Sequence, residues 1–240
     1  MKSKLLCLLL VLTLALLPAA VAESDVAAVD ADGVHFLSAG SVETAVSAES
    51  DGLYLLLLPV TAPLLTSQQQ MWQLCHLCSS SNLLMVADNV VTQQVAFSGD
   101  AALLPEELSV SARPGLTEYA FRLVELSAGE YALTLDNLSG GETDSAPGLY
   151  PAVRKDALSE ALSAAESRAY AIPLEEDASI TFALSGEAGD SVVLFCDAAP
   201  DRKWQLTIPD GEAEISAALE LPAGEIIVYF AGDSGSLTAQ

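Results

Sequence analysis

Residues 125–135 read ELSAGEYALTL, and residues 220–230 read ELPAGEIIVYF. Glu125, Leu126, Ala128, Gly129 and Glu130 recur as Glu220, Leu221, Ala223, Gly224 and Glu225 at one constant spacing. After the shared Ala-Gly-Glu, apolar side chains alternate: Tyr131, Leu133 and Leu135 in one copy, Ile226, Val228 and Phe230 in the other. A period of two is that of a strand with one buried face, and glycine suits the turn before it. Both copies therefore predict strand, Gly turn, strand.

A second pair lies upstream. Residues 42–58 (VETAVSAESDGLYLLLL) resemble 180–196 (ITFALSGEAGDSVVLFC), with Val46 matching Leu184, Ser47 matching Ser185 and Glu49 matching Glu187. Each ends in an apolar run that suits a strand covered on both faces. Strands are also expected at 53–60, 91–98, 118–126, 130–136, 169–174, 178–184, 191–197, 203–208, 212–221 and 225–231. Short strands separated by turn residues suit an all-β fold. The repeat predicts two antiparallel, jelly-roll-like β-sandwich modules, the first about 43 residues longer between its two matched elements.

The expected boundaries follow. Residues 23–148 form module 1, with an inserted segment near 60–90, and 169–240 form a smaller module 2. A linker helix is expected over 149–168. There Pro151 suits a first helical position, and Val153, Ala157, Leu158, Ala161, Leu162 and Ala165 recur at helical spacing. Its bases Arg154, Lys155 and Arg168 suit either a solvated helix face or docking onto an acidic module.

Residues 1–22 (MKSKLLCLLLVLTLALLPAAVA) carry the marks of a secretory signal peptide. Lys2 and Lys4 precede an apolar run over 5–17, Pro18 interrupts it, and Ala20-Val21-Ala22 forms a small-x-small cleavage site. An uncleaved anchor is the alternative reading. The whole chain has a formal charge of −24, and removing a segment with two lysines and no acids takes it to −26. Such a surface repels phosphate backbones, so nucleic acid is excluded as a partner. It also discourages binding to anionic membranes once the signal is cleaved. An apolar fraction of 51% excludes wholesale disorder.

The stretches YAFRLVELSAGEYALTL (119–135) and SITFALSGEAGDSVVLF (179–195) resemble the jelly-roll accessory modules of secreted bacterial hydrolases, including prepeptidase C-terminal domains. The shared pattern is an aromatic-bearing strand, an Ala-Gly turn and an alternating strand. The resemblance covers about a third of the mature chain and implies a non-catalytic, binding or stabilising sandwich. It transfers no functional residue, and no catalytic domain precedes the modules here.

Residues 66–85 (TSQQQMWQLCHLCSSSNLLM) hold the densest chemistry. Cys75-His76-Leu77-Cys78 is a CxxC, and a structural Cys75–Cys78 disulfide suits a secreted chain. The alternative is a metal-handling or thiol-redox protein using Cys75, Cys78 and His76, with Met71 and Met85 as further soft ligands. Zinc would need a second ligand pair that the sequence lacks. Cys196, in an apolar strand, is expected to remain a buried thiol.

Gly232-Asp233-Ser234-Gly235 and Gly189-Asp190-Ser191 look like hydrolase nucleophile motifs, yet neither has a histidine in a matching motif. Both are expected to be turns. Asp30-Ala31-Asp32-Gly33 opens like a Ca²⁺ loop but lacks the remaining ligands. No cofactor is expected, Ca²⁺ being the one ion that so acidic a surface suits. Glu106-Glu107 and Glu175-Glu176-Asp177 are carboxylate pairs that 33 acids produce by number alone. Trp72 and Trp204, with Tyr150, are candidates for stacking on sugars, core packing being the preferred reading for Trp204. Asn137-Leu138-Ser139 is a glycosylation sequon. The residues thus predict a secreted, extracellular, non-catalytic binding or surface-structural protein whose partner is a glycan or a protein.

Overall fold

A computed structural model describes residues 26–30, 33–62, 92–95, 108–111, 115–137, 142–158 and 161–239. Every regular element among them is a strand. The first half holds β1 (Ala27–Asp30), β2 (Gly33–Phe36), β3 (Gly40–Ala48), β4 (Gly52–Thr61), β5 (Thr92–Val95), β6 (Leu108–Ser111), β7 (Thr117–Leu126), β8 (Gly129–Asn137) and β9 (Thr143–Ser145). The second holds β10 (Gly148–Arg154), β11 (Leu162–Ser163), β12 (Ala169–Leu174), β13 (Ala178–Ser185), β14 (Ser191–Cys196), β15 (Lys203–Thr207), β16 (Glu214–Leu221), β17 (Gly224–Phe230) and β18 (Ser236–Ala239).

β4 organises the first half because its apolar run leaves neither face fit for water. Tyr54, Leu56, Leu58 and Val60 enter one core with Leu133 and Leu135 of β8. Leu55 and Leu57 point the other way into a different core. One edge of β4 pairs along its whole length with β7, and the other is shared by β10 and β9. β14 behaves alike: Val192, Leu194 and Cys196 face one core, and Val193 and Phe195 face the core that holds Leu55 and Leu57.

β10 joins the two halves. Gly148–Pro151 pair antiparallel with β4, and Ala152–Arg154 then pair parallel with β12. A ten-stranded sheet results, ordered β1-β2-β9-β4-β10-β12-β17-β14-β15, with β7 also on β4. In a flat sheet β7 and β14 would lie about 24 Å apart, five strand spacings. Instead Phe121 of β7 stacks on Phe195 of β14 with ring centroids 4.6 Å apart, and Tyr119 meets the same ring edge-on at 5.8 Å. The sheet therefore folds over on itself, and its two arms bury Leu55, Leu57, Val193, Phe195 and Ile227 between them. The pair β3–β8 supplies the other side of the first core, and the sheet β11-β18-β13-β16 that of the second.

The helix expected over 149–168 is not formed. Residues 148–154 are β10, 162–163 are β11, and none of the other described residues of the segment is helical. Half of the helical stripe is Ala, which offers little apolar area to bury, and its members do not share a buried face: Leu162 is buried, while Val153 and Ala165 are exposed. Pairing to the open edges of β4 and β12 overrides the local helix propensity.

The repeated sequences do form strand–turn–strand units, but none is a hairpin. β7 pairs with β4 while β8 pairs with β3, so the chain crosses between sheets at Ser127-Ala128. β16 and β17 likewise enter different sheets, pairing with β13 and β14. The pairing does not repeat with the sequence. If β3, β4, β7 and β8 matched β13, β14, β16 and β17, the β3–β8 pair would require β13–β17. The structure has β13–β16 instead. The likeness thus marks a shared crossing turn and not a duplicated strand order.

The two turn glycines also differ. Gly224 has φ +148°, and a Cβ there would lie 2.5 Å from Asp197 Oδ1 and 3.0 Å from Cys196 Sγ. Asp197 Oδ1 already accepts the Glu225 amide at 2.7 Å. At Gly129 a Cβ would meet open space. Gly224→Ala is therefore expected to cost about 1–3 kcal/mol from backbone strain and crowding, and Gly129→Ala much less. Urea denaturation of both variants checks this, and equal costs would refute it.

Between the arms, burial pushes the Tyr229 hydroxyl well above its usual range, helped by its hydrogen bond to Tyr150 and opposed by Arg168. Burial, then the charge of Glu118, raises Tyr119. A raised native value means that the folded chain keeps protons the unfolded chain has lost. Stability is thus fully present below the unfolded tyrosine value near 10 and falls as pH rises above it. Tyr229→Phe is expected to flatten that alkaline slope in denaturation curves at pH 9–12, and an unchanged slope would contradict the assignment.

Candidate functional site

Three-residue β9 lies between β2 and β4, and the register sets its chemistry. Asp144 stands opposite His35 on one side and Thr61 on the other. Thr61 in turn stands opposite Thr117 on β7, and the two hydroxyls are 2.8 Å apart. Directly opposed residues share a face, so His35, Asp144, Thr61 and Thr117 form a polar row across four strands. His35 Nδ1 contacts Asp144 Oδ1. The row faces away from the first core, into which Val34, Phe36 and Val60 point from the same strands.

A groove of about 420 Å³ opens over this row, lined by Asp30, Gly33, Val34, His35, Pro59, Thr61, Asp144, Ser145 and Ala146. That volume lies within the range of small-ligand sites. Gly33, at φ +135°, lets β2 turn in close to β9: a Cβ there would sit 2.5 Å from the Ser145 carbonyl oxygen. His35 and Asp144 are about half exposed, with side-chain accessibilities of 47% and 60%. The groove is a shallow surface that mixes polar side chains with apolar ones such as Pro59 and Ala146.

A Ser, a His and an Asp thus lie together, but they do not form a hydrolytic triad. Ser145 stands opposite Val34 and Val60, which puts it on the core face, and its hydroxyl is buried with no hydrogen-bond partner. A nucleophile needs a base within hydrogen-bond reach and access to substrate. Ser145 has neither.

The serine motifs meet each other and no histidine. Ser234 donates to the Asp190 carboxylate at 2.9 Å, and the Glu187 amide donates to Asp190 at 2.8 Å. The single described histidine, His35, belongs to the groove in the other arm. Among the described residues no group of three His, Cys, Asp or Glu is placed to hold a metal ion. Asp30 lines the groove, but Asp32 lies outside the described residues, as do Glu106 and Glu107. Glu175, Glu176 and Asp177 are exposed, and Asp177 accepts the Ala223 amide at 2.8 Å. Trp72, Cys75, His76 and Cys78, with Met71 and Met85, also lie outside the described residues.

Trp204 packs partly against the second core, and Arg202 sits over its ring at 5.0 Å. Tyr150 packs between the arms, 4.8 Å from Tyr229. Neither ring is a free stacking platform. Cys196 is a buried free thiol, pushed up by burial, which holds it in the unreactive protonated form. The Asn137 sequon is also shielded: Asn137 is 1% exposed, and its amide donates to the Ser38 carbonyl at 3.2 Å and to Thr143 Oγ1 at 3.4 Å.

Two of the three bases of the expected linker pair with acidic side chains of the second half. Arg154 pairs with Glu225. Arg168 donates to Asp233 at 2.7 Å and to the Phe230 carbonyl at 2.9 Å, and lies over the Tyr150 and Tyr229 rings. From the other side of the fold Lys203 pairs with Glu118 at 2.9 Å and donates to the Thr117 carbonyl.

Sequence reasoning did not pair His35 with Asp144, which are 109 residues apart. Asp144 sits in a Gly/Ser/Asp-rich stretch that reads as loop. Only strand pairing brings it to His35.

No family model and no curated protein matches the chain. Among solved structures, one described as the CUB1-EGF-CUB2 domain of human MASP-1/3 aligns over 85% of this chain and 95% of its own. It is 11% identical, with a TM-score of 0.24.

The orphaned Ser145 hydroxyl makes a direct test possible. A buried polar group without a partner costs about 1–3 kcal/mol. Ser145→Ala is therefore expected to stabilise the protein by about 1 kcal/mol, read as a higher urea midpoint at unchanged slope. Destabilisation would show that the hydroxyl is satisfied in solution.

Proposed function

We propose that this is a secreted, non-catalytic binding protein of the extracellular space. It is built as two jelly-roll-like β-sandwich modules akin to the accessory modules of secreted bacterial hydrolases. The first core draws on residues 27–135 and the second on 162–237, which supports two modules. The unmatched strand pairing argues that they are not copies of one unit.

The observation that carries the binding reading is the groove over His35, Asp144 and Thr61. It offers hydrogen-bonding side chains held in register by strand pairing, with space for a ligand and its serine hydroxyl turned into the core. Side chains placed in advance by paired strands favour recognition, because less ordering entropy is lost on binding. The apolar h-region and the small-x-small site at Ala20-Val21-Ala22 support export. The strongly negative charge favours glycan or protein partners over nucleic acid.

The test is a screen of the mature protein, residues 23–240, against glycan arrays and cell-surface proteins. At least one partner is expected, and Ala146→Trp, which fills the groove, is expected to weaken it by about tenfold or more. Absence of any partner, or binding indifferent to Ala146→Trp, would overturn the assignment to the groove.

A further inference from the structure

We propose that the groove receives the lysine or arginine side chain of a partner protein, with His35 competing with that side chain for Asp144. The inference rests on the binding reading above and supplies its ligand chemistry. Asp144 offers two carboxylate oxygens; His35 Nδ1 contacts Oδ1. A second carboxylate, Asp30, lines the same space from β1. β4 contributes Pro59 and Thr61, and β9 otherwise contributes Ser145 and Ala146, none of which is charged. His35 is thus the single base among the lining residues.

The acceptors do not converge as metal ligands do, since no three acidic, His or Cys side chains cluster among the described residues. They are spread along a groove of about 420 Å³, which suits an elongated organic cation better than a point ion. The strongly negative chain draws basic partners toward it at long range.

The His35 ring already sits on Asp144 Oδ1, so an incoming ammonium or guanidinium must share or displace that contact. Removing the ring frees the carboxylate for the ligand.

The experiment titrates the mature protein with the peptide acetyl-Gly-Lys-Gly-amide and with its Nε-acetylated form at fixed ionic strength. The NMR shifts of His35 and Asp144 report occupancy. The lysine peptide is expected to bind and the acetylated peptide not to bind. His35→Ala, which removes the competitor, is expected to tighten lysine-peptide binding about tenfold, and Asp144→Asn to abolish binding. Equal affinity for the two peptides, binding unchanged or weakened by His35→Ala, or binding that survives Asp144→Asn would each overturn the proposal. A neutral glycan bound in the groove, with the lysine peptide silent, would also overturn it while leaving the binding function standing.

Discussion

The fold depends on covering the second face of β4. A strand reading Leu-Tyr-Leu-Leu-Leu-Leu cannot lie on a two-layer structure with one face wet, because Leu55 and Leu57 would then meet water. Fully burying one such side chain is worth about 1.5–3 kcal/mol. β14 has the same difficulty with Val193 and Phe195. Each strand solves the other's problem when the long sheet folds over, and β10 is the element that lets it fold. Its antiparallel register to β4 ends at Pro151, and its parallel register to β12 begins one residue later.

Charge follows from that arrangement. A chain with 33 acids and nine bases pays a repulsion cost whenever two surfaces approach. Lys203 reaches across the halves to Glu118, while Arg154 and Arg168 pair with Glu225 and Asp233 inside the second half. Their side chains are between about a quarter and three-fifths exposed, and pairs of that kind contribute about 0.2–1 kcal/mol each. The apolar contacts around Phe195 therefore supply the cohesion. Within the second half, Arg168 satisfies Asp233, two backbone carbonyls and two rings at once, which ties β10, β12 and the end of β17 together.

Much of this was legible in residue order. Alternation at Tyr131, Leu133 and Leu135, and the unbroken runs ending at Leu58 and Cys196, predicted strands within a residue or two of their observed ends. Four features were not legible, each for a physical reason. Helical spacing over 149–168 is a local signal, whereas the open edges that claim β10 lie 91 to 97 residues away in β4 and 17 residues away in β12. The repeat was visible as sequence, but two crossing turns look alike whichever sheets they join. Short strands such as β9 and β11 carry too few residues to show a period. The groove is the fourth: Asp144 gains its role from one rung of a ladder, and no spacing rule connects it to His35.

The same rung explains why a Ser, a His and an Asp can be neighbours without forming a hydrolytic triad. Successive residues on a strand point to opposite faces. Asp144 and Ser145 are successive, so putting the carboxylate beside His35 in the groove puts the hydroxyl in the core. A hydrolytic arrangement would need both side chains on one face, which this strand denies at that pair of positions. Proximity in the chain, usually a hint of shared function, here separates the two groups. Thr61, one rung across from Asp144 but 83 residues earlier, is the hydroxyl that shares its face. That hydroxyl is engaged with Thr117 on one side and stands opposite Asp144 on the other. The groove therefore has donors and acceptors fixed in a row, which is the equipment for holding a polar ligand in place.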